Sequence, residues 1–343
     1  MFFLNKKAKN FYSWLFIFSS VVLFFVFLNY KIIEFECEFI QFNRASLSNF
    51  KKEEEEFLNL FFVGDIMLDR GVEYMIEKKG FDDYKFPFLK IKPELEKADI
   101  LFGNLEGPIS DKGEKVGSIY SFRAEPESMG GLAFAGFNVL SFANNHIFDY
   151  GRKAFEDTLL RLKEAGIGYI GAGFSEKEAY SPLIKEAGGT KISYLAYTSL
   201  GSKSWQAQGD VSGIAWLEEE RIKDDIKKAK DASDIIIVSF HYGMEYEKTP
   251  DSFQEEISRL AIDSGADLVV GHHPHVVQPI EKYKQGYIVY SLGNFVFDQG
   301  FSEETKNTIL LEVLVKDKKI REINSLNIKI NEYFQPELVN KNN

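Results

Sequence analysis

All five histidines of the 343-residue chain fall in three short polar motifs: Ala143-Asn144-Asn145-His146, Ser239-Phe240-His241-Tyr242-Gly243 and Gly271-His272-His273-Pro274-His275. Imidazole is the commonest metal ligand and a frequent general acid or base. Each motif closes an apolar run that reads as a buried strand, so the pattern is that of a metal site built on strand ends. If the last motif continues its strand, His273 and His275 point to one face and both imidazoles reach one centre. Pro274 between them restricts the backbone.

Two carboxylates are placed in the same way. Asn59-Leu60-Phe61-Phe62-Val63-Gly64-Asp65 runs from an apolar strand through glycine to an acid, and Asp99-Ile100-Leu101-Phe102-Gly103-Asn104-Leu105-Glu106 repeats the design. An acid at the carboxyl end of a buried strand is positioned to enter a crevice. Taken singly, Asp65 also reads as a turn or capping residue and Glu106 as a loop acid. Asp69 and Arg70 either pair with each other or begin the next helix. Asn145 offers a neutral carbonyl oxygen to a metal or substrate, and His146 beside it is suited to donate a proton to a leaving oxygen. Asp149 either orients His146 or caps the following helix. Oxygen and nitrogen donors without thiolate suit zinc, manganese or iron at a hydrolytic centre of one or two divalent ions.

Strands are expected at 58–64, 99–104, 137–142, 192–198, 234–240, 266–271, 277–283, 286–291, 307–315 and 319–329, and helices at 71–79, 126–136, 152–165, 217–231 and 251–264. Early strands alternate with helices, which gives an α/β fold with a largely parallel core. Gly188-Gly189 and Lys284-Gln285-Gly286 read as hairpin turns, so the later part is partly antiparallel. The expected organisation is a cytoplasmic N-terminus at 1–10, a transmembrane signal anchor at 11–30, a polar stalk at 31–57, one domain at 58–330 and a polar tail at 331–343.

In this order the blocks resemble the CapA family of capsule or poly-γ-glutamate biosynthesis proteins, within the calcineurin-like metallophosphoesterase superfamily. The likeness covers nearly all of 58–300. It rests on Gly64-Asp65-Ile66-Met67-Leu68-Asp69-Arg70, Gly103-Asn104-Leu105-Glu106, Ala143-Asn144-Asn145-His146, His273-Pro274-His275 and Ser291-Leu292-Gly293-Asn294-Phe295-Val296-Phe297-Asp298. The resemblance implies a four-layer α/β/β/α metallophosphoesterase-like sandwich, and the apolar stretch near the N-terminus is expected to precede it as one transmembrane helix. It further implies Asp65 as a first-metal ligand, Glu106 as the bridging carboxylate, Asn145, His241 and His273 as second-metal ligands, and His275 as completing the first site. His146, with Asn145, is implied as catalytic at the leaving oxygen, while Asp69 and His272 stay open as extra ligands. One departure matters: the phosphoesterase pattern carries Asp-x-His where this chain has Asp65-Ile66-Met67. A thioether is a poor ligand for a hard hydrolytic metal, so a mononuclear or altered binuclear centre is expected.

No charged residue lies between Lys9 and Lys31, and 11–28 is almost wholly apolar, enough to cross a bilayer core of about 30 Å. Lys6, Lys7 and Lys9 precede it, so the positive-inside rule leaves the N-terminus cytoplasmic and the main domain outside, in a single-pass cell-membrane protein. A cleaved signal peptide is the rival reading, but no small-residue cleavage site follows. The lone Cys37 forms no internal disulfide. A net charge of −11 points away from nucleic acid as a partner. The expected function is assembly, export or attachment of an anionic capsular polymer of poly-γ-glutamate type, with membrane synthase subunits as further partners and a metal-dependent hydrolytic or transfer site. The alternatives are a non-catalytic scaffold or polymer-binding subunit of a synthase complex and a general envelope metallophosphoesterase.

Overall fold

The computed structural model describes residues 14, 18–31, 33–35 and 57–339, which belong to two units, 1–56 and 57–343. In the first, a helix over Phe18–Phe35 has a mean hydropathy of 1.6 and exposes its side chains; length and composition suffice to cross a membrane. It extends past the expected limit at residue 30 and takes in Lys31 and Glu34, which pair at 2.6 Å. Residues 1–10, Cys37 and nearly all of the expected stalk lie outside the described residues.

The second unit carries two large sheets. The strands of these two sheets are β1 (Leu58–Ile66), β2 (Ile100–Leu105), β3 (Val139–Ser141), β4 (Gly168–Ile170), β5 (Leu183–Ala187), β6 (Thr190–Thr198), β7 (Ile235–His241), β8 (Leu268–His272), β9 (Ile280–Tyr283), β10 (Gly286–Val289), β11 (Asn294–Val296), β12 (Asn307–Lys316), β13 (Lys319–Ile330) and β14 (Pro336–Leu338). One sheet runs β14-β13-β12-β1-β2-β3-β4, with β11 also on β1; the other runs β9-β10-β8-β7-β6-β5. β1 to β4 are mutually parallel, as are β6, β7, β8 and β10, while the outer strands are antiparallel. Gly188 and Gly189, both at positive φ, make the β5–β6 hairpin, and Lys284-Gln285 turns β9 into β10. Residues 336–338, from the segment expected as a polar tail, form an edge strand on β13.

The alternation of side chains along each strand sets the layers. On β1, Leu58, Leu60 and Phe62 face one core and Phe61 and Val63 another; on β7, Ile235 and Ile237 join the core of Leu60 and Phe62, while Ile236, Val238 and Phe240 enter a third. The core shared by both sheets is the middle of a sandwich. The other two lie under helices: α1 (Arg70–Lys79), α2 (Ser128–Ala135) and α3 (Gly151–Glu164) on the first sheet, α4 (Glu219–Ala232) and α5 (Ser252–Ser264) on the second. The order is therefore α/β/β/α. Being covered on both faces explains why Leu60–Val63 of β1 and Ile235–Val238 of β7 read as unbroken apolar runs. The parallel strands of both sheets end at the same edge, as the register pairs Asp65 with Asn104 and with Asn294, and His241 with His272. Close approach there requires glycine: a Cβ on Gly64 would stand 1.8 Å from the Gly293 carbonyl oxygen, and one on Gly271 1.9 Å from that of Tyr290.

Candidate metal centre

The strand ends deliver Asp65 from β1, Glu106 from just beyond β2, Asn144 to His146 from the turn after β3, His241 from β7, His272 from the end of β8 and His273 and His275 from the turn beyond it. Asp65, Glu106, His241, His272, His273 and His275 are all buried; Asn145 and His146 are half-buried at the rim. Asn104 ties the floor together. Its amide donates to Asp65 Oδ1 at 2.8 Å, its oxygen accepts from Asn144 at 3.2 Å, and the same amide nitrogen lies 3.4 Å from both Glu106 Oε2 and His241 Nδ1. His241 Nε2 and Asn145 Oδ1 are 2.7 Å apart, and the His241 and His273 rings 5.0 Å. His275 Nδ1 stands 3.4 Å from Asp65 Oδ2 and 2.9 Å from Asn294 Oδ1, and its Nε2 is 3.7 Å from Glu106 Oε1.

Among the described residues, two groups of side chains place their donor atoms within 4.8 Å of one another: Asp65, Glu106 and His275, and Glu245, His273 and His275. All six expected ligands meet at this edge. The route to it differs from the expected one. β8 ends at His272, and His273 and His275 take positive φ of 96° and 59°. Both imidazoles reach the centre from a left-handed turn, with rings 5.8 Å apart, and not from the alternation of a strand. His272 lies behind Asp65, its Nδ1 3.3 Å from Oδ1, and packs against Phe102. Asp69 caps α1, accepting from the backbone of Arg70 and of Arg123, and Arg70 pairs with Asp298 and not with Asp69. Met67 is wholly buried in the apolar core, with its sulfur accepting from the Asp69 N–H at 3.2 Å.

Asp149 orients His146. Its Oδ2 lies 2.8 Å from His146 Nδ1 and accepts the Phe122 N–H at 2.8 Å, while the cap of α3 is Tyr150. The Phe122 ring covers the imidazole at 4.2 Å and carries the Arg70 guanidinium at 4.6 Å. His146 Nε2 is left facing Glu106 Oε1 at 3.8 Å.

The electrostatics follow from burial and proximity. Burial works to raise the Asp65 carboxyl, but His272 and His275 beside it hold it well below the usual carboxylate range. Burial and then the Asp65 charge push Glu106 well above that range. Burial opposes the His275 imidazolium, yet Glu106 and Asp65 push it up to about 9. Burial, with His275 nearby, pushes His273 down to about 3, and burial with His273 holds His241 well below its ordinary value. Neutral imidazoles are the form that binds metal. Among the described residues, Glu106 Oε1 and His273 Nδ1 are buried without a hydrogen-bond partner, a condition that native interiors seldom tolerate. Unpaired nitrogen and oxygen donors around two buried acids fit a divalent cation.

Glu245 is the donor that sequence reasoning missed: a single acid in a polar loop has no pattern to mark it. Asn104 and Asn294 stand inside motifs already singled out, but nothing in their spacing announces which polar atoms they bridge.

Residues 59–299 match the bacterial capsule synthesis protein family PGA_cap. The capsule biosynthesis protein CapA of Bacillus anthracis is 36% identical over 289 residues, covering 81% of this chain and 69% of that one. The PGA biosynthesis protein CapA of Bacillus subtilis is 34% identical over 281 residues, covering 81% and 73%. Among solved structures, a phosphatase of Mycoplasma pneumoniae overlaps 80% of this chain and 94% of its own, at 16% identity and a TM-score of 0.49.

Proposed function

Because this chain belongs to the bacterial capsule synthesis protein family PGA_cap, we propose that it acts outside the cytoplasm, anchored by its apolar N-terminal helix, in assembly, export or attachment of an anionic capsular polymer of poly-γ-glutamate type. The reaction proposed is a metal-assisted hydrolytic or transfer step on a phosphoester or related linkage. The observation that carries it is the convergence of Asp65, Glu106, Asn145, His241, His273 and His275 on one strand-end edge, with His146 at the rim.

Glu106, Asn145, His241 and His273 would hold one ion, with Asp65 and His275 on the first-site side. A divalent ion there supplies Lewis acidity that polarises the reacting oxygen and activates water. The chain's own contribution is positioning. Asp149 accepts from Nδ1 and fixes the direction of His146, Phe122 shields one face of the ring, and Nε2, when the ring carries a proton on both nitrogens, would give its proton to the departing oxygen and be left as a lone pair. Asn104 keeps Asp65 and the neighbouring turn in register without adding charge.

The test uses the detergent-solubilised full chain and a chromogenic phosphodiester. His241→Ala is expected to lose both metal and turnover. His146→Ala is expected to keep the metal and lose about 100-fold or more in kcat; wild-type turnover in His146→Ala would remove its proton-donor role. A scaffold reading is favoured by one observation, the commitment of Met67 to the core and to the Asp69 N–H. Capsule formation restored in cells by a chain lacking both His146 and His241 would establish that reading over the enzyme.

A further inference from the structure

Met67 leaves the centre without the donor that the phosphoesterase pattern has at that position, and an acid from another element lies against the ligand turn. Glu245 lies on the loop after β7, and its carboxylate groups with His273 and His275 within 4.8 Å, on the same His275 that also meets Asp65 and Glu106. The loop is fixed to the ligand turn at both ends. The Tyr242 N–H donates to the His272 carbonyl at 3.2 Å, and the Tyr246 N–H donates to the Pro274 carbonyl at 2.8 Å. Tyr246 takes a positive φ of 66° to do so, and its ring lies 6.1 Å from that of His275. Gly243 makes the preceding bend at φ 84°, where a Cβ would strike the Gln254 side chain at 2.5 Å. A backbone pinned in this way aims Glu245 at the turn by construction. Independently, His273 Nδ1 is buried with no hydrogen-bond partner among the described residues, although His273 belongs to this same group.

We propose that Glu245 is a direct ligand of a divalent cation held with His273 and His275, adding a carboxylate from the solvent side to a centre in which Met67 supplies no donor. This rests on the metal-centre reading above and adds to it a ligand outside the phosphoesterase pattern. A carboxylate in that place is a harder donor than a thioether, and it lowers the net charge of the loaded site by one relative to an imidazole. Because Glu245 is exposed, the cation it helps to bind would be the more readily exchanged one.

The experiment is a titration of the full chain in detergent with Mn2+, read by the electron paramagnetic resonance signal of the free ion, for wild type, Glu245→Gln and Glu247→Gln. Loss of an outer-sphere partner already weakens metal sites about 10–100-fold, so Glu245→Gln is expected to lose one bound ion or bind it at least tenfold more weakly. Glu247, an exposed acid on the same loop, serves as the charge control, and Glu247→Gln is expected to match wild type within twofold. Equal titrations for Glu245→Gln and wild type overturn the proposal while leaving the centre intact. A wild-type chain that takes up no Mn2+ overturns the centre itself. Melting in EDTA checks the fold, and if Glu245→Gln does not fold, Glu245→Asp decides: binding unchanged by a one-methylene retreat of the carboxylate refutes direct ligation.

Discussion

Asn104→Ala removes a residue that touches no solvent and links four others at the floor of the centre. In the metal-free protein its strongest contact is the 2.8 Å hydrogen bond to the Asp65 carboxylate, and a bond to a charged group is worth about 1.5–3 kcal/mol. The Asn144 amide keeps the Leu105 carbonyl at 2.8 Å but loses its second acceptor, a loss of about 1 kcal/mol for a buried donor. The 3.4 Å approaches to Glu106 and His241 are too long to count for much. With a small residual void, the expected destabilisation is about 3–5 kcal/mol. For a domain of this size that lowers Tm by roughly 6–20 °C. The assay is thermal and urea denaturation of wild type and variant, both in EDTA so that metal linkage contributes to neither. A loss below about 1 kcal/mol would refute the reasoning, since it would mean that Asp65 is not held by Asn104.

Other parts of the molecule give further tests. Asp157, buried on α3, accepts from Ser110 Oγ at 2.7 Å, Lys112 Nζ at 2.5 Å and Arg161 Nε at 2.7 Å. Burial opposes its ionisation, but Lys112, Ser110 and Arg161 hold its carboxyl below the ordinary 3.8. Its contribution is therefore complete above pH 3.8 and fades as pH falls through the lowered value; Asp157→Asn should cost about 1.5–3 kcal/mol at pH 7, with the gap to wild type closing only in that acid range, as urea melts at several pH values would read. Gly64→Ala forces a Cβ to 1.8 Å from the Gly293 oxygen and should cost more than about 4 kcal/mol, seen as loss of soluble, cooperatively melting protein. Asp251→Ala breaks the reciprocal capping box with Gln254 at the start of α5 and should cost only about 1 kcal/mol, measured by the same melts. Arg70→Ala leaves Asp298 with the Gly71 N–H alone and should cost about 1–3 kcal/mol; it also unloads the Phe122 ring from above His146, so nuclear magnetic resonance of the imidazole should register it.

The long elements were legible because burial on both faces or on one helical stripe leaves a pattern. β1, β7 and β12 carry apolar runs at Leu60–Val63, Ile235–Val238 and Ile309–Leu311, and α4 and α5 alternate buried isoleucines with charged residues. The three-residue strands β4 and β11 were not, since Gly168–Ile170 and Asn294–Val296 are too short for any period to appear. β11 nevertheless decides the site, as it sets Asn294 beside Asp65 and within reach of His275. The ligand turn shows the same division. That His273 and His275 lie at the end of a buried strand could be read from the sequence, but the strand alternation expected to bring them together is replaced by a left-handed turn, to which the Tyr246 N–H is bonded at the Pro274 carbonyl. Glu245 was hidden for that reason: its place depends on two backbone hydrogen bonds between loops about 30 residues apart.

The most direct test of the account is anomalous diffraction at the manganese edge from crystals of the full chain grown with Mn2+. The account predicts one or two peaks at the strand-end edge, with protein donors at about 2.0–2.3 Å drawn from Glu106, Asn145, His241, His273, Asp65, His275 and Glu245. A well-ordered edge with these side chains hydrogen-bonded only to one another or to water, and no peak there under saturating Mn2+ or Zn2+, would contradict it.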